Sequence, residues 1–271
     1  MMGKTSTLNV NEINIIQKKN LYLLLTVVVI VGLIMLASYI TEYNHIEGVL
    51  SIPAAASWMA SNIWFSSSTL ANLGSVMRLL WETILISIVS TTTAAVFAVV
   101  FALMGSKLTY INKPLMLAAK IIASISRNIP VVAWALILVI SFGTNSMTGF
   151  LALFFGSFGF LVRAFVETID EGSKDSVEAL KATGATYWHT IFKAVLPGSM
   201  PQMFSWILFM IETNIRSATL VGLLTGTGIG YLFDLYYKQL NYEMVSLITL
   251  AIVLAVLVIE AISNIIRREI L

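Results

Sequence analysis

Cysteine is absent from the 271-residue sequence, which excludes a disulfide framework and a thiolate metal site. Charged residues are scarce as well: they make up 11% of the chain, against about 25% in soluble domains. The net charge of +2 gives no indication of a nucleic-acid partner. Apolar residues account for 58% of the sequence. Because a polypeptide inside a bilayer must satisfy its own backbone hydrogen bonds, this composition predicts an all-α, polytopic transmembrane helical bundle.

Six apolar segments are predicted to cross the bilayer, because each is long enough for a hydrocarbon core of about 30 Å. The first twenty residues are polar and lack a small-residue cleavage site, which favours a lead-in to an uncleaved first span over a signal peptide. Asn128 and Pro130 are expected to break the third segment into an amphipathic surface helix and a crossing part. The predicted segments are Leu21–Ile40, Leu79–Met104, Pro114–Phe142, Ser146–Val166, Met200–Leu224 and Met244–Ile266.

Two connecting regions differ from the spans. Residues 41–77 mix polar residues with tryptophan, which predicts an interfacial loop or short surface helices. Residues 226–242 are rich in glycine and aromatic residues, and a loop is predicted there. Its aromatic residues are expected either in an interface belt or in contact with a docked protein; they are Tyr231, Phe233, Tyr236, Tyr237 and Tyr242.

The distribution of Lys and Arg predicts that both termini are cytoplasmic. The predicted outer segments hold only Arg78 and Lys238. The predicted cytoplasmic segments hold eleven such residues: Lys4, Lys18, Lys19, Lys107, Lys113, Lys120, Lys174, Lys181, Lys193, Arg267 and Arg268. This topology places residues 170–198, between the fourth and fifth spans, in the cytoplasm.

The segment Val177–Pro197 is helix-forming and water-compatible, although it lies between two apolar spans. Asp175 and Glu178 have the spacing of a capping box at the start of a first helix. Gly184 is expected to end that helix in a left-handed conformation.

A second helix is predicted from Thr186, as its N-cap, to about Val195, and Pro197 is expected to end it. The two helices would form a helix–turn–helix knob at the membrane surface. An ordinary interhelical loop that happens to be helical is the alternative.

The fifth predicted span carries the polar residues that cost most in a membrane: Glu212, Thr213, Asn214, Arg216 and Ser217. A charge near the bilayer centre costs at least about 2.5 kcal/mol, so such groups face a partner, a cavity or a pathway. Glu212 and Arg216 are four residues apart, in the favourable order for an ion pair. Either the pair only neutralises itself and supports packing, or these residues line a route for an anion. Guanidinium groups suit phosphate or phosphonate oxygens.

The cytoplasmic segment resembles the EAA loop of ABC-importer permeases at Glu178, Ala179, Leu180, Gly184, Leu196 and Pro197. Leu180 replaces the second alanine of that pattern, and Ala194 stands where the pattern has isoleucine. N-I-R-S-A-T-L-V-G-L-L-T-G-T-G-I-G, residues 214–230, is similar to the fifth-span motif of phosphonate-importer permeases. R-N-I-P-V-V-A-W-A-L, residues 127–136, resembles another stretch of that subfamily.

The resemblance covers residues 79–271, which are therefore predicted to form a type I ABC-importer permease core with a coupling loop at 170–198. Residues 1–78 would comprise the lead-in, the first span and an outer loop. The resemblance implies a permease subunit in a bacterial inner membrane, importing phosphonate or a related phosphorus oxyanion. The EAA residues would contact the ATPase. Gly222, Gly226, Gly228 and Gly230 are interpreted as turns near an outer gate; a phosphate-cradling loop or a flexible loop are the alternatives.

The partners implied by the resemblance are two ABC ATPase subunits, a second permease in a homodimer and an extracytoplasmic substrate-binding protein. ATP and Mg²⁺ would bind to the ATPase, and this chain would bind no cofactor. No complete G-x-x-x-x-G-K-[ST] motif occurs in the sequence, where the triplet Gly3-Lys4-Thr5 stands alone. We expect no catalytic or metal-ligand set either, since His45 and His189 are predicted on opposite sides of the membrane.

Two other functions fit parts of the sequence. The chain could serve an importer for another small solute, such as phosphite, methionine or a quaternary amine. An ion-coupled secondary transporter could use Glu82, Glu212 and Glu260 as proton relays. That alternative does not explain the cytoplasmic knob, and no inverted repeat supports it.

Overall fold

A computed structural model describes residues 10–62, 64 and 67–270 of the chain. All regular elements in this described part are helices. Contacts divide the chain into two compact units, Met1–Ser61 and Asn62–Leu271, which are described separately below. The predicted boundary between residues 1–78 and the permease core at 79–271 stays a prediction.

The first unit contains one long apolar helix followed by short helices: α1 (Val10–Thr41), α2 (His45–Leu50) and the main part of α3 (Ile52–Asn62). The stretch Gln17–Thr41 of α1 is long and apolar enough to cross a membrane. Asn44 caps α2, because its side-chain oxygen accepts hydrogen bonds from the backbone N–H groups of Ile46 and Glu47 at 3.1 and 3.2 Å. Short helices after the first span were one of the two structures predicted for this region.

The second unit contains the remaining helices: α4 (Ser67–Leu70), α5 (Leu73–Gly105), α6 (Lys113–Asn128), α7 (Val131–Phe142), α8 (Ser146–Gly172), α9 (Lys174–Ala182), α10 (Tyr187–Thr190), α11 (Leu196–Thr225), α12 (Gly228–Lys238) and α13 (Tyr242–Ile270). A π-helical turn, Ile191–Val195, joins α10 to α11. Over the described residues of both units, five helices are long and apolar enough to cross a membrane. The bent pair α6–α7 makes a sixth if it counts as one span. The prediction of about six spans is confirmed.

The contact between α5 and α8 lies at the centre of the second unit. Small side chains are buried along the length of α5, and small residues allow neighbouring helix backbones to approach closely. These buried residues include Thr83, Ser87, Ser90, Thr91, Ala94, Ala98, Ala102 and Gly105. The hydroxyls of Ser87 and Thr91 donate to backbone carbonyls one turn earlier, at 2.8 and 2.7 Å, so the buried polar atoms are satisfied.

Helices α6 and α7 meet at an angle of 92°, which confirms the predicted break at Asn128–Pro130. Proline has no backbone N–H, so the carbonyl of Ser126, four residues before Pro130, lacks its usual partner. The indole N–H of Trp134 donates to this carbonyl at 3.1 Å. The proline therefore makes the bend, and the tryptophan one turn later satisfies the carbonyl that the bend exposes.

Glycine on α8 allows close contact with α6. A Cβ atom at Gly159 would lie 2.8 Å from the carbonyl oxygen of Ala123 and 2.9 Å from Cα of Arg127, which is closer than real Cβ contacts. The two backbones touch here because no side chain separates them.

The loop predicted over residues 226–242 is wrong, because most of it forms helix α12. Gly226 and Gly228 have positive φ angles of 68° and 58°, which turn the chain sharply after α11. A Cβ at Gly222 would overlap the carbonyl oxygen of Thr227, and one at Gly230 would overlap that of Thr219. These two glycines allow α12 to fold back against α11.

The apolar face of α12 explains why a helix forms there. Ile229 and Leu232 are buried, three residues apart, against Val76 and Leu80 of α5 and Ile248 of α13. The backbone N–H of Ile229 also donates to the hydroxyl of Thr83 at 2.8 Å. Burial on this face therefore outweighs the local preference of glycine for turns.

Candidate coupling and translocation sites

The knob consists of two helices joined by a tight turn. Helix α9 ends at Ala182, and Gly184, two residues later, has a left-handed φ of 79°, as predicted. The N–H of Gly184 donates to the carbonyl of Lys181 at 3.0 Å, and the N–H of Ala185 donates to that of Leu180 at 3.2 Å. These two hydrogen bonds form a Schellman motif, which satisfies two carbonyls at the helix end.

The predicted caps of the knob helices are wrong in detail. Ser173, and not Asp175, occupies the N-cap position of α9. The hydroxyl of Ser173 does not cap the helix; it donates to the carbonyl of Val195 at 3.4 Å. Thr186 does occupy the N-cap of α10, but its side chain makes no capping hydrogen bond. The serine thus ties the start of the knob to its end, an interaction that local sequence spacing does not reveal.

The prediction that Pro197 ends the second helix is also wrong. The N–H of Leu196 bonds to the carbonyl of Ile191, five residues earlier, within the π-helical turn. Pro197 follows this π-helical turn as the second residue of α11, and the helix continues through it. The result is one continuous helix of 39 residues, Tyr187–Thr225, which includes both the knob and the fifth span.

The knob packs firmly on the bundle and presents a separate exposed face. Val177 and Val195 are completely buried in the same cluster as Phe165 and Ile169 of α8, and Leu180 packs against that cluster. In contrast, Glu178, Ala179 and Gly184 are exposed. Leu196 is half-buried and Pro197 is exposed at the start of α11.

Two aromatic residues that the sequence reasoning missed dominate the exposed face. Trp188 and Phe192 are 62% and 60% exposed, and their rings stack at 6.2 Å between centroids. They are four residues apart on one helix face, which was a signal available in the sequence. Large apolar side chains grouped on an exposed surface mark an interaction site for a protein or for the membrane.

The predicted ion pair of the fifth span is present and has a third member. A guanidinium nitrogen of Arg216 lies 2.9 Å from one carboxylate oxygen of Glu212. Arg267 of α13 lies 3.2 Å from the other oxygen. The side chain of Glu212 is 12% exposed, whereas that of Arg216 is 46% exposed. Arg267 was not identified from the sequence, because its distance of 55 residues from Glu212 gives no local pattern.

The remaining predicted pathway residues lie on different faces of α11. Asn214 is buried, and its amide nitrogen donates to Thr91 of α5 at 2.7 Å and to Ser157 of α8 at 2.5 Å. Ser217 is half-buried and Arg216 is exposed. Residues two apart on a helix point in nearly opposite directions, so Asn214 and Arg216 do not share one surface. A role of these residues in translocation stays a prediction.

The two ends of the second unit have different contacts. At one end, the hydroxyl of Tyr187 on the knob donates to the carbonyl of Thr109, between α5 and α6, at 2.7 Å. The N–H of Lys107 donates to Asp170 of α8 at 2.9 Å. At the other end, Ser146 donates to Glu82 at 3.1 Å. The knob and the α5–α6 turn therefore lie together, as the predicted topology requires.

Apolar helices of spanning length, with a helical knob between the fourth and fifth spans, define a multi-pass permease of the type I ABC-importer architecture. The chain belongs to the family described as binding-protein-dependent transport system inner membrane component, whose sequence profile matches residues 98–270. It is therefore a multi-pass inner-membrane protein.

Three relatives illustrate the range of the family. The phosphate-import permease protein PhnE of Mycolicibacterium smegmatis is 28% identical over 188 residues, which are 69% of this chain and 35% of that protein. The phosphite transport system permease protein PtxC of Stutzerimonas stutzeri is 30% identical over 193 residues, 71% of this chain and 70% of that protein. The methionine import system permease protein MetP of Bacillus subtilis is 30% identical over 118 residues, 43% of this chain and 53% of that protein.

The fold is similar to that of a solved transporter. The structure of inward-facing conformations of the MetNI methionine ABC transporter gives a TM-score of 0.66 at 21% identity, covering 76% of this chain and 100% of that chain. This likeness concerns the fold. Together with the phosphate and phosphite relatives, the family confirms the resemblance to the phosphonate group of ABC-importer permeases.

Proposed function

We propose that this chain is the permease subunit of an ATP-driven importer that carries phosphonate or a related phosphorus oxyanion. The relatives named for phosphate and phosphite import support this substrate class. The proposed assembly contains two copies of the chain, two ATPase subunits that bind ATP and Mg²⁺, and an extracytoplasmic substrate-binding protein. The distribution of Lys and Arg supports an orientation with both termini in the cytoplasm.

The continuous helix Tyr187–Thr225 is the observation that supports this function most directly. An ATPase that moves the exposed face of Trp188 and Phe192 would move α11 with it, because no break separates the knob from the span. The buried contacts of Val177 and Val195 join that movement to α8. The knob would thus convert ATP-driven closure of the ATPase pair into a change between two arrangements of the spans.

Helix α11 would carry the residues that meet the substrate. We propose that exposed Arg216 faces the oxyanion while Glu212 orients its guanidinium by the 2.9 Å ion pair. Asn214 would contribute by holding α11 against α5 and α8. The turn with Gly226 and Gly228 would lie near the outer gate.

The coupling role is tested by replacing both aromatic residues of the exposed face, Trp188→Ser and Phe192→Ser. Because both side chains are exposed, the fold should remain intact while copurification of the ATPase and ATP-driven uptake are lost. Trp81→Ser is the matched control, since Trp81 is 60% exposed on α5, away from the knob. Retained ATPase binding and uptake in the double variant would exclude the proposed lever. Uptake that collapses with an uncoupler at constant ATP would favour an ion-coupled transporter.

The substrate is tested with the binding protein of the same system. A titration series of methylphosphonate, phosphite, phosphate, methionine and a quaternary amine is expected to give the tightest binding for a phosphorus oxyanion. Methionine is the alternative substrate that the series must exclude, because the relative MetP is named for methionine import. Preference for methionine would reject the substrate class and leave the permease function in place.

A further inference from the structure

A cavity with an excess of positive charge lies between α6 and α8. Its volume is about 280 Å³, close to the lower end of the roughly 300–1,000 Å³ of small-molecule sites. Such a space fits a compact ligand. The residues that surround it are Lys120, Ala123, Ser124, Arg127, Gly159, Val162, Arg163, Val166 and Glu167. None of them was predicted as a site residue.

The cavity lies toward the end of the bundle that carries the knob. A Cβ at Gly105, the last residue of α5, would be 3.2 Å from a methyl group of Val166 and 3.9 Å from Cγ of Lys120. The following residue, Ser106, donates to Asp170 of α8. A ligand in the cavity would therefore be near the α5–α6 turn, which the topology places on the cytoplasmic side.

Three cations face the cavity and only one carboxylate opposes them. Arg163 forms an ion pair with Glu167 at 2.7 Å. Lys120 and Arg127 form no hydrogen bond or ion pair through their side chains with any residue that the structure describes. Two positive charges are thus left in excess around one small space. This excess positive charge favours binding of an anion.

The contact at Gly159 brings these cations together. Because the α8 backbone touches the α6 backbone at Ala123 and Arg127, side chains on both helices flank the same opening. The walls beside them are small or apolar, being formed by Ala123, Val162 and Val166. The cations themselves stay open to solvent, since Arg127 and Arg163 are exposed and Lys120 is half-buried, so an anion can reach them directly.

We infer that this cavity binds a phosphorus oxyanion through Lys120, Arg127 and Arg163. Guanidinium groups match the geometry of such oxyanions by paired hydrogen bonds, and the lysine ammonium adds a third donor group. A doubly charged oxyanion would neutralise the excess charge. The ligand comes from one of two sources: the free ion on its way to the cytoplasm, which rests on the proposed function, or the headgroup phosphate of an anionic lipid.

The test uses the full chain in phosphatidylcholine nanodiscs, with binding of methylphosphonate followed by saturation-transfer NMR on its methyl protons. The double variant K120Q/R127Q should weaken binding by about tenfold or more, because two charged donors are removed. The control K113Q/K193Q removes the same charge from exposed positions at the same end, outside the cavity, and should leave binding unchanged. E167Q releases Arg163 and should tighten binding several-fold, which a misfolded chain would not do.

A second arm separates the two sources. Native mass spectrometry of the chain in mixed phosphatidylcholine and phosphatidylglycerol measures how much of the anionic lipid is retained. One outcome is that K120Q/R127Q loses the retained phosphatidylglycerol, K113Q/K193Q keeps it, and methylphosphonate does not bind. That outcome would assign the oxyanion site to a lipid headgroup. If neither ligand binds, or if the control variants behave like the cavity variants, the inference is overturned.

The test of the cavity and the tests of the proposed function can fail independently of each other. Uptake of a phosphorus oxyanion by the complete system, without variant-sensitive binding in nanodiscs, would reject the cavity and keep the function. Cavity binding in a system that imports methionine would keep the cavity and reject the proposed substrate.

Discussion

Asn214 joins three helices through one side chain. Its amide, on α11, donates to hydroxyls of α5 and α8, and all three groups are buried. Because these groups are buried, removing the amide leaves two hydroxyl oxygens without this donor. Interhelical hydrogen bonds in membrane proteins nevertheless contribute modestly, because the unfolded helices find other partners.

We predict that Asn214→Ala lowers the free energy of unfolding by roughly 1–2 kcal/mol, combining the lost hydrogen bonds and the unpaired hydroxyls. The measurement is the thermal unfolding midpoint of the purified chain in detergent. Asn264→Ala is the control, because Asn264 is exposed on α13. An unchanged midpoint combined with lost uptake would show that Asn214 acts on the substrate directly and not by holding the helices.

Helix α8 organises the elements around it. It contacts α5 through small residues, α6 through Gly159 and the knob through Phe165 and Ile169. Because α6 bends away at Pro130, the close contact at Gly159 fixes where the bent pair lies against the rest of the unit. Glycine inside a helix usually weakens it by about 1 kcal/mol relative to alanine, and here the close packing of α6 requires it.

We predict that Gly159→Ala destabilises the protein by about 1–3 kcal/mol, because overlap with the α6 backbone outweighs the better helix propensity of alanine. Gly172→Ala on the same helix is the matched control: nothing lies within 4 Å of a Cβ there, so its effect should be neutral or stabilising. Thermal unfolding of the two variants in the same detergent makes the comparison. A stabilised Gly159→Ala protein would mean that α6 moves away at no cost.

The second unit has two distinct ends. The knob and the α5–α6 turn form one end, and the α11–α12 turn with the start of α8 forms the other. The structure shows which segments lie together, whereas the side of the membrane for each end is a prediction from the distribution of Lys and Arg.

The absence of cysteine makes the orientation directly measurable. We predict that Lys193→Cys, in the knob, reacts with a membrane-impermeant maleimide only in inside-out vesicles. Gln239→Cys, after α12, should react in intact cells. Lys193 lies in a predicted cytoplasmic segment, whereas Gln239 lies in a predicted outer segment. Both side chains are exposed, so both thiols are accessible to the reagent on their own side. The reverse labelling pattern would invert the topology and place the knob away from any cytoplasmic ATPase.

Features with a local cause were predictable. The apolar segments became helices, Gly184 ended α9, the chain bent at Pro130, and Glu212 paired with Arg216 one turn away. Each depends on residues within a few positions of one another, where spacing and propensity decide the outcome. The motifs around Glu178 and Asn214 also indicated the family.

Features that depend on distant partners could not be predicted from the sequence. Residues 228–238 have the glycines of a loop, but burial of Ile229 and Leu232 against α5 and α13 makes them a helix. The attraction of Arg267 to Glu212 and the cations gathered between α6 and α8 also depend on residues far apart in the sequence. Helix continuity through Pro197 has a local feature, the π-helical turn with its hydrogen bond from Leu196 to Ile191, which the proline rule did not anticipate.

Hydrophobicity and turn residues act over short distances, and they were enough to predict a polytopic helical membrane protein with a helical knob between the fourth and fifth spans. The folded structure was needed to learn which polar side chains meet inside the bundle, such as Asn214 with Thr91 and Ser157. Packing and hydrogen bonding between helices depend on positions in space, which local spacing along the chain does not specify.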